Sequence, residues 1–349
     1  MTNITKTENE EQRKLQITGG STYILSLPKD WVTKNQLKKG SAMMIREEED
    51  GSLSVLPPKM EKTEKKDDAF IKVTPNDNPY AVMRKAISAY LIGYNILHIK
   101  SQNKHPLSSK TRNHLKDFAR NYLVGTEIVI DTPNELTLQV LLNYPELTVQ
   151  SALSRMAIIA ASMHREAMNA LRKLDYSMAK SVIETDREVN RFGLYIVRLL
   201  KMAVLNSRMV REIGLDNPRT CIGYRLIAKA VERSADHATK IAEKVILLKT
   251  PVSEEPLEKI EELSNLAISM FESSVEALFK RDYNLAESII EKITQVYKLE
   301  REVILLSKGA NIEEVANLRL AIESVRRTAE YASDISEVVL NMNVESVIG

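Results

Sequence analysis

A long internal duplication is the feature of this 349-residue sequence that most constrains its fold. Residues 225–243 return 94 positions later as residues 319–337, with eight identical residues. Residues 162–184 return as residues 269–291 at a shift of 107, with 11 of 23 positions identical. A recurrence of this length indicates a repeated structural unit rather than a single site. We therefore expect the C-terminal half to contain one structural unit twice.

Each copy is predicted to form three helices, because apolar residues recur there at three- and four-residue spacing. The first copy, repeat 1 (residues 148–250), is predicted to have helices over residues 149–173, 176–212 and 221–249. The second copy, repeat 2 (residues 256–343), is predicted to have helices over residues 257–280, 283–308 and 312–342. Two such units packed side by side would form a six-helix bundle.

The N-terminal region has the alternating pattern of apolar and polar residues that predicts β-strands. In residues 13–58, which we call the head, Leu15 and Ile17 alternate with polar residues, and a Gly-Gly pair follows as a turn. Pro28 opens a short helix, and Asp50–Gly51 is a strong hairpin signal. About 45 residues of this kind are marginal for an independent core, which favours an obligate dimer.

Between the head and the repeats, the sequence predicts a small α/β module over residues 69–147, which we call the middle module. A polar tail (1–12), predicted to be disordered, precedes the head, and a charged linker (59–68) follows it. The predicted strands of the middle module are residues 71–73, 96–99, 127–131 and 136–142, and its predicted helices are residues 78–91 and 108–123. The expected fold class is therefore multidomain and mainly α.

Composition excludes several classes of protein. The net charge is only +2, so any nucleic-acid surface must be local. A single cysteine, Cys221, rules out a disulfide framework within the chain, and an inert, buried thiol is the expectation for it. The most apolar stretch, residues 194–205, is interrupted by Arg198 and Lys201 and is too short to span a membrane. We expect a cytoplasmic protein, because the single cysteine fits a reducing compartment and the polar start of the sequence does not resemble a signal peptide. We also expect a non-enzymatic protein, since no P-loop, dinucleotide-binding, zinc-protease or cysteine-pair motif occurs in the sequence.

The repeated motif resembles a known family. The pattern at residues 232–243 and 326–337 is similar to the signature helix of PhoU-type phosphate-uptake regulators, and residues 182–192 are similar to the preceding helix of that family. Residues 13–45 resemble an AbrB-type swapped-hairpin DNA-binding domain, although Ser41 replaces the acidic residue usual at that turn. Together the two regions resemble archaeal-type PhoU regulators with an AbrB-like head. The resemblance implies partners among phosphate transporters or phosphate-signalling proteins.

Acidic residues in repeat 1 could form a metal site. Glu232 and Asp236 are four residues apart and share a helical face, as do Asp186 and Asn190 on the preceding helix. If these faces meet, four oxygen-bearing side chains could hold a divalent cation, or iron or zinc. The family resemblance implies such clusters. The alternative is a solvated face whose acids pair with nearby lysines and arginines.

Repeat 2 is a poorer candidate for metal binding. Glu330 and Asp334 are also four residues apart, but Arg326 stands where repeat 1 has Glu232, and Arg327 follows it. We expect these two arginines to neutralise the pair. Two histidines also have expected roles: His237 is expected to be partly exposed, and His164, which aligns with a phenylalanine in repeat 2, is expected to be a packing residue.

The head carries a local excess of positive charge. Between residues 13 and 40 there are six lysines and arginines but only one acid, Asp30. A dimer would double this charge and supply enough phosphate contacts for salt-sensitive DNA binding. The candidate DNA contacts are Arg13, Lys14, Ser21, Thr22, Lys29 and Lys34. The alternative is a dimerisation module whose lysines only confer solubility.

These features predict a phosphate-responsive, non-catalytic regulator. A dimeric, DNA-binding head would be coupled to a helical bundle that negatively regulates phosphate uptake or its signalling, in a homodimer or higher oligomer. One alternative is a DNA-independent accessory protein that docks on a phosphate transporter or its signalling partner, with the head as a dimer clasp. A second alternative is a metal-binding helical bundle.

Overall fold

The computed structural model describes residues 11–47, 51–57, 68–74, 76–102, 106–142, 146–204, 206–306 and 312–348. The predicted tail and linker lie outside these ranges except for residues 11, 12 and 68. The chain divides into two compact units, Met1–Lys66 and Asp67–Gly349. The first contains the head, and the second contains the middle module together with both repeats.

The head consists of two antiparallel hairpins and one short helix, as predicted. The first hairpin turns through Gly19 and Gly20, whose φ angles of 64° and 81° suit glycine. None of the head residues within 11–47 and 51–57 is buried, so these elements share no core. The elements are β1 (Gln16–Thr18), β2 (Thr22–Ile24), α1 (Lys29–Lys34), β3 (Met44–Glu47) and β4 (Leu53–Leu56), with β1 paired to β2 and β3 paired to β4.

The middle module is a four-stranded sheet with two helices, which confirms the predicted α/β texture. Strand order is β5-β6-β8-β7, with β5 and β6 parallel and the other pairs antiparallel. Every second residue of the central strands faces the helices, and the paired residues Leu97 and Leu138 are fully buried there. These residues form a core with apolar residues of the two helices. The elements are β5 (Asp68–Val73), α2 (Pro79–Ile92), β6 (Ile96–Ser101), α3 (Ser109–Tyr122), β7 (Thr126–Asp131) and β8 (Glu135–Val140).

Three long helical segments form each repeat, but the middle segment of each is broken. The elements of repeat 1 are α4 (Val149–Lys173), α5 (Tyr176–Val204), α6 (Ser207–Glu212) and α7 (Thr220–Leu247). The elements of repeat 2 are α8 (Glu254–Lys280), α9 (Tyr283–Glu291), α10 (Ile293–Leu306) and α11 (Ile312–Asn343). The predictions of one continuous helix over 176–212 and over 283–308 are therefore wrong.

Local backbone hydrogen bonds explain the two breaks. The amide of Asn206 donates to the carbonyl of Ala203, and the amide of Lys292 donates to the carbonyl of Ile289, at 3.0 and 3.1 Å. Each bond spans three residues instead of four, which tightens the turn and interrupts the α-helix. Neither position is a glycine or a proline, so the sequence gives no signal that the helix ends there.

The two repeats share one apolar core, and polar side chains also cross between them. α7 packs on α11, and α4 packs on α8. His164 on α4 is buried, with its Nε2 atom 2.9 Å from Ser264 Oγ on α8 and its Nδ1 atom 3.4 Å from Thr328 Oγ1 on α11. His164 is thus a packing residue, as expected, and its ring also bridges the repeats. Burial lowers its pKa to about 4, so the ring is neutral near pH 7.

A buried arginine joins the middle module to the bundle. Arg198 on α5 is fully buried, and its guanidinium donates to the carbonyls of Tyr90, Gly93 and Tyr94 and to Asn95 Oδ1. It also lies 4.8 Å from the centre of the Tyr90 ring. These oxygens are at the C-terminal end of α2, where helix carbonyls lack partners within the helix and the helix dipole favours a cation. Arg198 therefore caps α2 from another helix.

Replacing Arg198 should destabilise the fold strongly. Arg198→Met keeps much of the apolar volume but removes four buried or half-buried hydrogen bonds, so we expect a loss of about 3 kcal/mol in the free energy of unfolding. Urea unfolding followed by circular dichroism measures the change. Arg301→Met, on the exposed face of α10, is the matched control and should change stability by less than about 0.5 kcal/mol. Equal stabilities of the two variants would show that the cap contributes little.

Candidate functional site

The structure brings the predicted acidic residues of repeat 1 together. Asp186 and Asn190 lie on α5, and Glu232 and Asp236 lie on α7, which packs against α5. We call these four residues the acidic cluster. The Asn190 amide donates to Asp186 Oδ2 at 2.6 Å, and Lys229 Nζ lies 2.6 Å from Glu232 Oε1. All four side chains are half-buried, so the cluster is not simply a solvated face.

The carboxylates of the acidic cluster are close enough to raise one another's pKa values. Burial, followed by the negative charges of Asp236 and Glu232, raises the pKa of Asp186 to about 6, although the hydrogen bond from Asn190 acts in the opposite direction. The pKa of Asp236 is also raised, first by burial and then by Glu232, although Lys229, Lys240 and Arg233 partly oppose this. The cluster therefore holds more negative charge than its surroundings neutralise.

The donor chemistry of the cluster fits a hard cation, but its arrangement is not that of a closed metal site. The Oδ1 atom of Asp186 is buried and has no hydrogen-bond partner among the described residues. Carboxylate and amide oxygens are suitable ligands for hard cations. However, within the described residues no three His, Cys, Asp or Glu side chains stand close enough to hold a metal ion. The ion pair of Glu232 with Lys229 holds one oxygen on the lysine.

Repeat 2 has replaced this cluster with ion pairs. Arg326 donates to Glu300 Oε1 at 2.8 Å and also to Glu330, and Arg327 donates to Glu330 Oε2 at 2.9 Å. Asp334 keeps a raised pKa because it is partly buried near Glu330. The two arginines thus neutralise Glu330, as the sequence indicated.

Two further residues singled out in the sequence are buried. His237 was expected to be partly exposed, and this is wrong: only 8% of it is exposed, and its Nε2 atom lies 3.5 Å from the Tyr331 hydroxyl on α11. The spacing along α7 carries no information about α11, which packs against this histidine. Burial, with nearby Lys240 and Arg327, lowers the pKa of His237 to about 4. Cys221 is buried with a raised thiol pKa, as expected of an inert cysteine.

The predicted DNA contacts all lie on the surface of the head. Arg13 and Lys14 precede β1, Ser21 is in the β1–β2 turn and Thr22 begins β2. Lys29 and Lys34 are the first and last residues of α1. All six side chains are exposed, and Arg13 forms an ion pair with Glu11.

Arg198 is the structurally decisive residue whose role the sequence did not reveal. A signal was present, because this arginine interrupts the most apolar stretch of the chain. Its role as a cap nevertheless depends on carbonyls that lie 103–108 positions earlier in the sequence.

Among the described residues, no helix is long and apolar enough to cross a membrane.

Two protein families match this chain. The PhoU domain family matches residues 153–245 and 260–339, which are the two repeats. The family described as the antidote-toxin recognition domain MazE, a bacterial antitoxin, matches residues 16–63. The head is therefore similar to MazE and AbrB-like domains, as its residues indicated.

Individual relatives agree with these matches. A protein of Aquifex aeolicus named phosphate-specific transport system accessory protein PhoU homolog is 28% identical over 184 residues, covering 50% of this chain and 79% of the relative. A Pseudomonas putida protein of the same name is 26% identical over 203 residues, covering 55% and 76%. The crystal structure of PhoU from Pseudomonas aeruginosa aligns with a TM-score of 0.50 at 21% identity, covering 57% of this chain and 96% of that one. This likeness concerns the fold of the helical half alone.

Neutralising Asp186 should stabilise the metal-free protein near neutral pH. Its folded pKa of about 6 lies above its ordinary value of 3.8, so the folded state binds the proton more tightly and the ionised carboxylate is destabilising. The penalty is complete above pH 6 and disappears as the pH falls towards 4. Because the group is only half-buried, we expect Asp186→Asn to add about 1–2 kcal/mol at about pH 7.5.

Urea unfolding of the chelator-treated protein between about pH 4 and pH 7.5 measures this effect. Glu184→Gln, an exposed acid on the same helix, is the matched control and should change little. A gain for Asp186→Asn that does not depend on pH would contradict the assignment.

Proposed function

Because its helical half belongs to the PhoU family, we propose that this protein is a non-catalytic regulator of a phosphate transport system. The duplicated three-helix bundle, matched by the PhoU domain in both copies, is the observation that carries the proposal. The relatives from Aquifex aeolicus and Pseudomonas putida are named as accessory proteins of the phosphate-specific transport system. We expect the protein to act in the cytoplasm as a negative regulator, by docking on the transporter or its signalling partner.

The head is proposed to be a dimer formed by two copies of this chain. Its strands, and the residue before β1, carry large apolar side chains that are 59–66% exposed, and none of the described residues of the head is buried. Apolar strands of this kind need a second surface to form a core. A second head would cover them. The apolar side chains in question are Leu15, Ile17, Tyr23, Met44, Ile45 and Leu53.

DNA binding is proposed as the function of the dimeric head. The candidate contacts are exposed in the monomer, and dimerisation would double their number. Lysines and arginines that neutralise phosphates supply most of the affinity for DNA, and the hydroxyls of Ser21 and Thr22 can add hydrogen bonds. We also propose that the head and the helical bundle are coupled, because the two modules share one chain. Docking of a partner on the bundle would alter the occupancy of the head on DNA.

Mobility shifts with the full-length protein test DNA binding by the head. The duplex is the region upstream of the protein's own coding sequence, and a scrambled duplex measures non-specific affinity. The double variant Lys29→Gln, Lys34→Gln should bind more weakly, and removing each phosphate contact should reduce the slope of log affinity against log salt by about 0.9. Lys173→Gln with Lys298→Gln, two exposed positions in the repeats, removes the same charge elsewhere and should have little effect.

The two proposals for the head fail separately. If the wild-type protein does not shift the duplex at low salt but is a dimer by light scattering, the DNA-binding proposal fails. The head would then serve only as a dimer clasp, and the accessory role of the protein would stand. A monomeric mass by light scattering would contradict the proposed dimer of heads. Repeating the shifts at high and low phosphate shows whether DNA binding responds to phosphate.

We propose cation binding by the acidic cluster as a second function, compatible with the first. The buried, unpaired Oδ1 atom of Asp186 and the raised pKa values of Asp186 and Asp236 support it. A divalent cation, or iron or zinc, would neutralise the excess negative charge. Binding would require Glu232 to leave Lys229, because that ion pair holds one of its oxygens.

Elemental analysis of the purified full-length protein tests this second function. We expect about one metal ion per chain after dialysis against manganese, iron or zinc, and its loss in the Glu232→Gln, Asp236→Asn double variant. The Glu330→Gln, Asp334→Asn double variant removes two acids spaced four residues apart on α11 of repeat 2 and should keep the metal. A wild-type protein without metal, or equal loss in both variants, would exclude the cluster as the site.

A further inference from the structure

A groove of about 640 Å³ lies where the middle module meets repeat 1. Its walls come from α2 and α3 on one side and from α5 and α7 on the other. We propose that this groove binds a nucleotide, with the base between the aromatic and apolar walls and the phosphate at the arginines of the rim. The volume is within the range of small-molecule sites, which is about 300–1,000 Å³.

The wall formed by the middle module suits a flat ring. Tyr80 stacks with His114 at a centroid distance of 5.7 Å, and Phe118 stacks with Tyr122 at 5.3 Å. Tyr80 is 56% exposed, so its ring remains accessible. The opposite wall is apolar where Leu194 and other half-buried residues of α5 line it. Aromatic side chains of this kind bind nucleic-acid bases by stacking, whatever the base.

The rim carries cations that can receive a phosphate. Arg187 on α5 and Arg225 on α7 are exposed and line the same groove. Neither guanidinium forms an ion pair within the part of the chain that the structure describes, although Arg187 Nε donates to the Glu184 carbonyl at 3.2 Å. Guanidinium groups match phosphate oxygens in both charge and geometry. Side chains of Asp117 and Asn121 complete the rim and can bond to ribose hydroxyls or base edges.

Gly193 supports the assignment, because the fold itself does not require a glycine there. It lies inside α5, where glycine destabilises a helix relative to alanine. A methyl group at this position would lie 3.5 Å from Met156 Cε and 3.7 Å from Glu232 Oε2, which are ordinary contact distances. Alanine would therefore fit the folded chain. The missing side chain instead keeps the floor of the groove open.

Titration calorimetry of the full-length protein with AMP, GMP and UMP tests the proposal, with adenosine and inorganic phosphate as partial ligands. At least one nucleotide should bind about tenfold or more tightly than either partial ligand. Arg187→Gln and Arg225→Gln should each weaken it about tenfold, the typical effect of removing one charged hydrogen bond. Arg301→Gln, an exposed arginine outside the groove, should bind like the wild type.

Two further variants separate the ring contacts from the folding of the protein. Tyr80→Leu should weaken nucleotide binding but not the binding of inorganic phosphate. Gly193→Ala should raise the melting temperature, since it favours the helix, and should weaken nucleotide binding by narrowing the floor. A nucleotide affinity that is unchanged in Arg187→Gln, Arg225→Gln and Gly193→Ala would overturn the proposal.

The partial ligands supply further outcomes that would overturn it. Phosphate binding as tightly as AMP would show a simple anion site, and adenosine binding as tightly as AMP would show an apolar site without phosphate recognition. Absence of binding by all three nucleotides at about 1 mM would exclude a nucleotide site of useful affinity. None of these outcomes bears on the regulatory role proposed for the repeats, because that role does not depend on the groove.

Discussion

One buried charge, the guanidinium of Arg198, connects the middle module to repeat 1. Arg198 brings a guanidinium to the C-terminal end of α2, where it donates to three backbone carbonyls and one side-chain oxygen. Burying an arginine is costly unless its donors are satisfied, so α2 must meet α5 with its carbonyls in place. The contact also sets the separation of the two walls of the groove, since α2 belongs to one wall and α5 to the other. The middle module is thus an extension of repeat 1.

Duplication preserved the scaffold of the two repeats but not their electrostatics. Both copies keep three helical segments with a break in the middle one. In repeat 1, Glu232 leaves negative charge in excess, whereas in repeat 2 Arg326 occupies the aligned position and pairs with Glu300 and Glu330. The two sites therefore differ in charge: the carboxylates of repeat 1 favour a proton or a cation, whereas Glu300 and Glu330 of repeat 2 are already paired with arginines.

Much of this fold could be predicted from the sequence, because its signals are local. Helix α4 begins and ends at the predicted residues, with Thr148 capping its first turn. The two helix breaks could not be predicted, because neither Lys292 nor Asn206 is a glycine or a proline, and the two breaks lie at different positions of the aligned repeats. The acidic cluster could be predicted through four-residue spacing, which fixes a helical face. The burial of His237 and the groove could not, because both depend on contacts between helices distant in sequence.

The acidic cluster and the groove are physically one region. Asn190 and Glu232 line the groove and also belong to the cluster, where Asn190 bonds to Asp186 and Glu232 raises the pKa of Asp186. A ligand in the groove that moved the Glu232 carboxylate would change the negative charge near Asp186, and a cation bound at the cluster would move the same carboxylate. By thermodynamic linkage each event must change the affinity of the other by the same factor. Lys229 is the natural pivot of this exchange, since its ammonium lies in the groove wall and already holds Glu232 at 2.6 Å.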